Sequence, residues 1–292
     1  MIPFELAEPR SLKEAIALLD GEDDSVRPIA GGTALMLMMK AGGFAPTRLI
    51  ALRRVEGEDA IDLAADGSLQ VGALATLSAL GRTKAVRDGF PVIAQTLRTL
   101  SNVRVRNVAT IGGNLAHADP HMDLPPVLAA LGAQVTVAGP TGTRTVAVEN
   151  LFAGYYQTVL ARNELIAKVV VPPQGAKRAA YMKVTTRSAD DWPALGVAVV
   201  IDAQGRAMRN LDLFVSAATE KPIRLKAAEA VLRGAEANET ILQRAGEAGS
   251  SEVETMADAR GSASYKKELV RVFVARALRK ALGLGDAQGR AA

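Results

Sequence analysis

Residues 107–126, Asn-Val-Ala-Thr-Ile-Gly-Gly-Asn-Leu-Ala-His-Ala-Asp-Pro-His-Met-Asp-Leu-Pro-Pro, set a hydroxyl, a glycine pair, a carboxamide and a trailing acid in one short stretch. Thr110, Gly112, Gly113 and Asn114 read as a tight turn with almost no side-chain bulk, and Asp123 follows. A glycine pair lets backbone N–H groups face an anion with no Cβ in the way. A second such turn, Ala30-Gly31-Gly32-Thr33, lies upstream behind a β-like Val26-Arg27-Pro28-Ile29. Two anion-cradling turns in one chain point to a ligand carrying a diphosphate, and so to a nucleotide cofactor. Neither turn has the Gly-x-Gly-x-x-Gly or Gly-Lys-Ser/Thr pattern of the common nucleotide loops.

Few side chains here could do chemistry unaided. Cysteine is absent, which excludes disulfides, cysteine-held iron–sulfur clusters and thiol catalysis. The histidines are His117 and His121, and their spacing would suit a metal only on a helix, which Pro120 argues against. No residue is therefore assigned as catalytic or as a metal ligand; in a redox protein of this composition the cofactor supplies the reactive group. Asp190 and Asp191 read as turn or capping acids. Trp192, the only tryptophan, reads either as a buried core anchor or as an aromatic lying against a cofactor ring.

The net charge of +4 and pI near 9.4 are mildly basic. Arg104, Arg106, Lys266 and Lys267 read as solvated surface with some phosphate complementarity. Nucleic-acid binding would call for a denser basic face with interleaved aromatics, and aromatics make up only 4%. No apolar run approaches the roughly 18 residues of a membrane span. Pro3, Glu5 and Glu8 do not suit a signal peptide, so a cytoplasmic location is expected.

The elements that must carry these residues can be read from periodicity. A chain of 292 residues, 49% hydrophobic and 23% charged, is an ordinary globular protein with ample core. Ser11-Leu12-Lys13-Glu14 is a capping box ahead of a stripe at Leu12, Ala15, Ile16 and Leu19. A short helix through Lys40 and a strand at 48–52 complete a first unit. Residues 61–63 and 69–73 predict a hairpin, 77–82 and 91–100 predict helices, and a further helix runs from Pro125 to Gly132. A hairpin at 134–148 turns through Gly139-Pro140-Thr141-Gly142, and a strand at 165–171 closes the second unit before Pro172-Pro173-Gln174-Gly175. Beyond that linker come strands at 181–186, 194–202 and 211–217, with a turn at Asp202–Gly205. Helices at 225–233, 239–247 and 264–282 follow, with a frayed tail after Gly283. Strands followed by helices predict a sheet with helices on one face. The expected fold class is α+β, divided at 1–57, 58–175 and 176–292.

These residues resemble the FAD-binding medium subunit of molybdenum hydroxylases, the family of aerobic carbon monoxide dehydrogenase and xanthine dehydrogenase. The likeness runs nearly end to end. It rests on Ala30–Thr33, Val71-Gly72-Ala73 with Thr76, Val105–Asn114, Asp123–Pro126, Asn163–Ile166, Lys183 with Arg187, and Asp258–Tyr265. The resemblance implies a two-subdomain FAD-binding fold of the p-cresol methylhydroxylase-like type, plus a C-terminal sheet-and-helices domain. It implies non-covalent FAD lying between the first two subdomains. Pro28, Ile29, Ala30, Gly31, Gly32, Thr33, Ala34 and Leu35, with Thr110, Ile111, Gly112, Gly113 and Asn114, would hold the diphosphate. Asp123 would bond a cofactor hydroxyl or fix its loop, Leu100 and Ile166 would form apolar walls, and Lys183 and Trp192 would lie toward the flavin. Ala34 and Asp119 depart from the family pattern, which often has an acid or serine at the first position and a serine at the second, but neither change removes a backbone donor.

The resemblance also implies partners. A large subunit would carry the molybdenum cofactor and a small one [2Fe–2S] clusters, in an (αβγ)2 assembly that passes electrons to NAD⁺, a quinone, a cytochrome or O₂. Two other readings are a self-contained FAD oxidase or dehydrogenase, which would need acid–base groups scarce here, and a scaffold subunit that has lost FAD, in which broken glycine motifs would be expected.

Overall fold

A computed structural model describes residues 2–204 and 207–284. Along the chain lie β1 (Glu5–Ala7), α1 (Leu12–Leu18), β2 (Val26–Ile29), α2 (Leu35–Lys40) and β3 (Arg48–Ala51). Then come β4 (Ile61–Leu63), β5 (Leu69–Gly72), α3 (Leu77–Arg82), α4 (Lys84–Gly89), α5 (Pro91–Thr99), α6 (Val103–Arg106) and α7 (Ile111–His117). Next are α8 (Leu124–Ala130), β6 (Gln134–Gly139), β7 (Gly142–Ala147), β8 (Phe152–Gly154), β9 (Gln157–Thr158) and β10 (Leu165–Val171). The last are β11 (Arg178–Val184), β12 (Leu195–Gln204), β13 (Ala207–Ser216), β14 (Ile223–Arg224), α9 (Lys226–Leu232), α10 (Glu239–Glu252) and α11 (Ala263–Leu282). The expected turn residue Gly205 and the tail from residue 285 lie outside the described residues.

Helix starts follow local chemistry. Ser11, Thr76, Asn102, Thr110, Asn238 and Ser262 each accept a hydrogen bond from the N–H three residues on. Glu14 bonds back to the Arg10 amide at 2.8 Å, one residue before the cap.

The chain forms two compact units, residues 1–118 with 132–173, and residues 119–131 with 174–292. In the first, β1, β3 and β2 make a parallel sheet, and β4-β5-β10-β6-β7 an antiparallel one. Ala15, Ile16 and Leu19 of the predicted stripe pack with Val26, Ile50, Ala138 and Leu165, so a single core joins the two sheets. The hairpin register pairs Gly139 with Gly142, leaving Pro140-Thr141 as the turn.

In the second unit β11-β12-β13-β14 is antiparallel. Val197, Val199, Ile201, Leu211, Leu213 and Val215 pack with residues of α9, α10 and α11. The alternating Ala198, Val200 and Phe214 are buried as well, and α8 packs against β12 and β13. Period-2 burial of both sets means both faces of these strands are covered. The expectation of helices on one face is corrected: residues 119–131, read by sequence with the middle subdomain, belong to this unit and bring α8 to its sheet.

Candidate cofactor site

In the first unit, β2 delivers the chain into Ala30–Ala34 before α2 begins. Gly31 is needed for close packing, since a Cβ there would stand 2.2 Å from the Val108 carbonyl oxygen. Gly32 is needed for its backbone, with φ of +68°. The carbonyls of Gly32 and Ala34 accept from Met36 and from Leu37 and Met38, which ties the turn to the start of α2. The amides of Gly31, Gly32, Thr33 and Ala34 donate to no protein acceptor among the described residues. Consecutive N–H groups around a left-handed glycine form a concave anion site. Pro28 and Ile29 lie on β2, and Leu35 opens α2.

The glycine pair of the longer motif is not the loop that its composition suggested. Thr110 caps α7, and Gly112 and Gly113 lie in the helix's first turn. Their amides already have protein partners. Ile111 N–H donates to the Ala75 carbonyl at 3.0 Å, Gly112 N–H to Ala73 at 2.8 Å, Gly113 N–H to Thr110 Oγ1 at 3.1 Å, and Asn114 N–H to the Thr110 carbonyl at 2.9 Å. Gly112 is buried, and a Cβ on it would meet the Ala73 Cβ at 2.6 Å. Gly113 is exposed; a Cβ there would meet only Thr110 Oγ1 at 3.0 Å and the Ala30 Cβ at 3.8 Å. The two turns are thus neighbours, and the side of α7 facing Ala30 is kept bare by Gly113. Leu100 and Ile166 are both buried in this unit.

The remaining expected residues lie in the second unit. Asp123 is buried, with Tyr181 donating to Oδ1 at 2.7 Å and the Lys183 ammonium 3.1 Å from Oδ2. Burial raises the Asp123 carboxyl above its ordinary pKa, against the opposing Lys183 charge and the Tyr181 hydrogen bond. Burial, with the Asp123 charge beside it, pushes the Tyr181 hydroxyl well above 10.0. The structure places Lys183 on Asp123, so two residues expected to face a cofactor also neutralise each other. Tyr181 escaped sequence reading because a strand tyrosine is ordinarily core.

Trp192 is not the buried anchor that one reading allowed: it is 44% exposed. Its ring stacks on His121, with centroids 5.9 Å apart and planes within 16°. Asp190 and Asp191 are turn residues, accepting from the Ser188 hydroxyl and the Trp192 amide respectively. Of the cations read as solvated surface, Lys266 is fully buried and bonded to Asp258 and to the Ala217 carbonyl. Arg106 is half-buried and donates to the carbonyls of Leu100 and Ser101.

Comparison with known proteins decides the family. Residues 2–174 match the FAD binding domain in molybdopterin dehydrogenase, and residues 180–281 the CO dehydrogenase flavoprotein C-terminal domain. The chain belongs to the FAD-binding medium subunits of the molybdenum hydroxylase family. This medium subunit is 32% identical to the carbon monoxide dehydrogenase medium chain of Hydrogenophaga pseudoflava, over 96% of this chain and 98% of that one. It is 32% identical to the nicotine 6-hydroxylase medium subunit of Paenarthrobacter nicotinovorans, covering 93% and 95%. Its fold superimposes on a solved Hydrogenophaga pseudoflava carbon monoxide dehydrogenase chain with a TM-score of 0.93 at 33% identity, covering 97% and 99%. Quinoline 2-oxidoreductase from Pseudomonas putida 86 gives 0.90 at 28%, covering 97% and 98%. The expected fold class and the family resemblance therefore hold for the medium subunit, an oxidoreductase component. Among its described residues no helix is long and apolar enough to cross a membrane.

A diphosphate fits the donor set of the medium subunit. The Gly31–Ala34 amides and the Thr33 hydroxyl, which likewise has no protein partner among the described residues, are half-buried donors beside a bare glycine. Charge–charge pairing with lysine or arginine is not required where backbone amides converge.

Proposed function

We propose that this medium subunit binds FAD non-covalently and relays electrons from [2Fe–2S] clusters on a small partner to an external acceptor. Substrate would be oxidised at a molybdenum cofactor on a large partner, in an (αβγ)2 assembly in the cytoplasm. One observation carries the cofactor assignment: the amides of Gly31–Ala34, which have no protein acceptor among the described residues, beside the exposed Gly113. Bound FAD would supply exchange between one-electron carriers and a one- or two-electron acceptor.

The residues have distinct tasks in this reading. Gly31, Gly32, Thr33 and Ala34 donate to the diphosphate, while Pro28, Ile29, Ala30 and Leu35 shape the turn. Thr110, Ile111, Gly112 and Asn114 hold the first turn of α7 in place through bonds within the protein, so that Gly113 can leave the approach open. Leu100 and Ile166 contribute apolar surface. Within the second unit, Asp123 holds the Lys183 ammonium rather than bonding the cofactor itself, and Lys183 and Trp192 are proposed as cofactor residues. The division at residues 1–57, 58–175 and 176–292 remains our proposal for the subdomains along the chain, while residues 119–131 pack with the compact unit formed by residues 174–292.

Gly113→Val tests the cradle. A valine favours the helix more than glycine does, and its Cβ would press only on the Thr110 side chain at 3.0 Å while lying 3.8 Å from the Ala30 Cβ. The expected outcome is loss of flavin absorbance from the purified chain, with the thermal midpoint equal to that of the parent stripped of flavin. A Gly113→Val protein that retains or rebinds FAD as the parent does would overturn the assignment.

A further inference from the structure

We propose that His121 and Arg260 are positioning residues that clamp Trp192 in one orientation, and that Asp258 organises both of them. This rests on the reading of Trp192 as a cofactor residue. His121 is buried and fixed at both ring nitrogens, Nδ1 lying 2.8 Å from Asp119 Oδ1 and Nε2 lying 2.7 Å from Asp258 Oδ2. A ring held at both ends has no freedom to tilt, and the indole lies nearly parallel to it. The Arg260 guanidinium carbon is 5.0 Å from the Trp192 ring centroid, within cation–π range, and Nε donates to the Trp192 carbonyl at 3.3 Å. Arg260 and Trp192 are thereby tied by side chain and by backbone.

Both partners meet at one carboxylate. Asp258 Oδ2 takes His121 and the buried Lys266 ammonium, each at 2.7 Å, while Oδ1 takes the Arg260 amide at 2.7 Å. Lys266 is in turn bonded to the Ala217 carbonyl at 2.8 Å, and the Ala217 amide to the Pro120 carbonyl at 2.9 Å. The carboxylate is therefore anchored to the start of α11, to the end of β13 and to the segment that carries His121. Burial opposes its charge, but hydrogen bonds from Lys266, His121 and the Arg260 amide, with the Lys266 charge, together outweigh burial and hold it at about 2. The result is a half-exposed indole whose plane is set from within the second unit before any ligand arrives. A preset aromatic plane suits a flat conjugated ring such as a flavin, because stacking depends on orientation as well as on area.

Trp192 is the only tryptophan, so its fluorescence reads this clamp without interference. The full chain is compared as the parent, Asp258→Asn and Arg260→Gln, first stripped of flavin and then with FAD added. The parent is expected to show high indole anisotropy and strong quenching on FAD addition. Both variants are expected to lose anisotropy and part of that quenching while FAD absorbance shows binding. Asp258→Asn also strips Lys266 of its counter-ion, so Arg260→Gln, which leaves that pair intact, carries the test if the first variant does not fold. Parental anisotropy in a folded variant overturns the clamp, as does undiminished quenching. Failure of the parent to bind FAD overturns the proposed function instead, while the flavin-free anisotropy still judges the clamp.

Discussion

At the residue scale, the glycines of this subunit divide by what a side chain would strike. Gly112 lies under Ala73, where an added Cβ would come within 2.6 Å of one carbon and 2.9 Å of the carbonyl oxygen. Backbone cannot yield as a flexible side chain does. Gly112→Ala is therefore expected to cost about 1–3 kcal/mol of stability, the range of overpacking changes, as measured by denaturant unfolding. Gly113→Val should spare the stability of the flavin-free chain and remove FAD binding, so the two adjacent glycines would be separated by different assays. An unchanged unfolding midpoint in Gly112→Ala would mean that α7 can shift away from Ala73. The sequence marked both glycines equally. Composition tells that bulk is excluded, but whether protein or ligand excludes it depends on Ala73 and Ala30, which lie far away in the chain. The same limit explains Lys266: nothing in its neighbours on α11 announces a carboxylate eight residues back and a carbonyl at Ala217.

At the element scale, long strands, hairpins and capped helices were legible because each has local periodicity and a local stop signal. The short pieces were not. α4, α6, β1, the β8–β9 pair and β14 are too brief to show a period, and Val103-Arg104-Val105-Arg106 alternates like a strand while forming one helical turn. The first turn of α7 read as a loop because glycine is a poor helix former; Thr110 capping and the Ala73 and Ala75 carbonyls hold it helical. Asp258 joins several elements of the second unit, and its titration should be visible in their unfolding. Its carboxyl drops from 3.8 to about 2 on folding. A lowered acid contributes stability that is fully present above its unfolded pKa and is lost as pH falls through its folded one. Asp123 works in the opposite sense, since its raised carboxyl gains stability from protonation. Stability is therefore expected to fall between about pH 4 and pH 2 in the parent, and Asp258→Asn should flatten that limb while lowering stability at neutral pH. Equal slopes in the two proteins, measured by denaturant unfolding across that range, would show that the Asp258 contacts do not set the acid response.

At the scale of the whole molecule, composition and fold point the same way. A chain without cysteine and with only His117 and His121 has little acid–base or metal chemistry of its own. His121 is moreover engaged by carboxylates at both nitrogens. The family supplies the context in which such a chain makes sense: a component with an FAD-binding domain, whose proposed cofactor residues serve to hold and orient. If the relay reading is right, the isolated FAD-loaded chain should not reduce a dye at the expense of any organic substrate offered to it. The same dye should still reoxidise the chain after chemical reduction, because that step needs only bound flavin. Substrate-dependent dye reduction should appear when the molybdenum and iron–sulfur partners are added back, with native mass spectrometry reporting the assembly. Turnover of an organic substrate by the chain alone would instead make it a self-contained oxidase. The acid–base group responsible would then have to be sought among the buried Asp123–Tyr181–Lys183 contacts, where burial raises the carboxyl above its ordinary value and the hydroxyl well above its own.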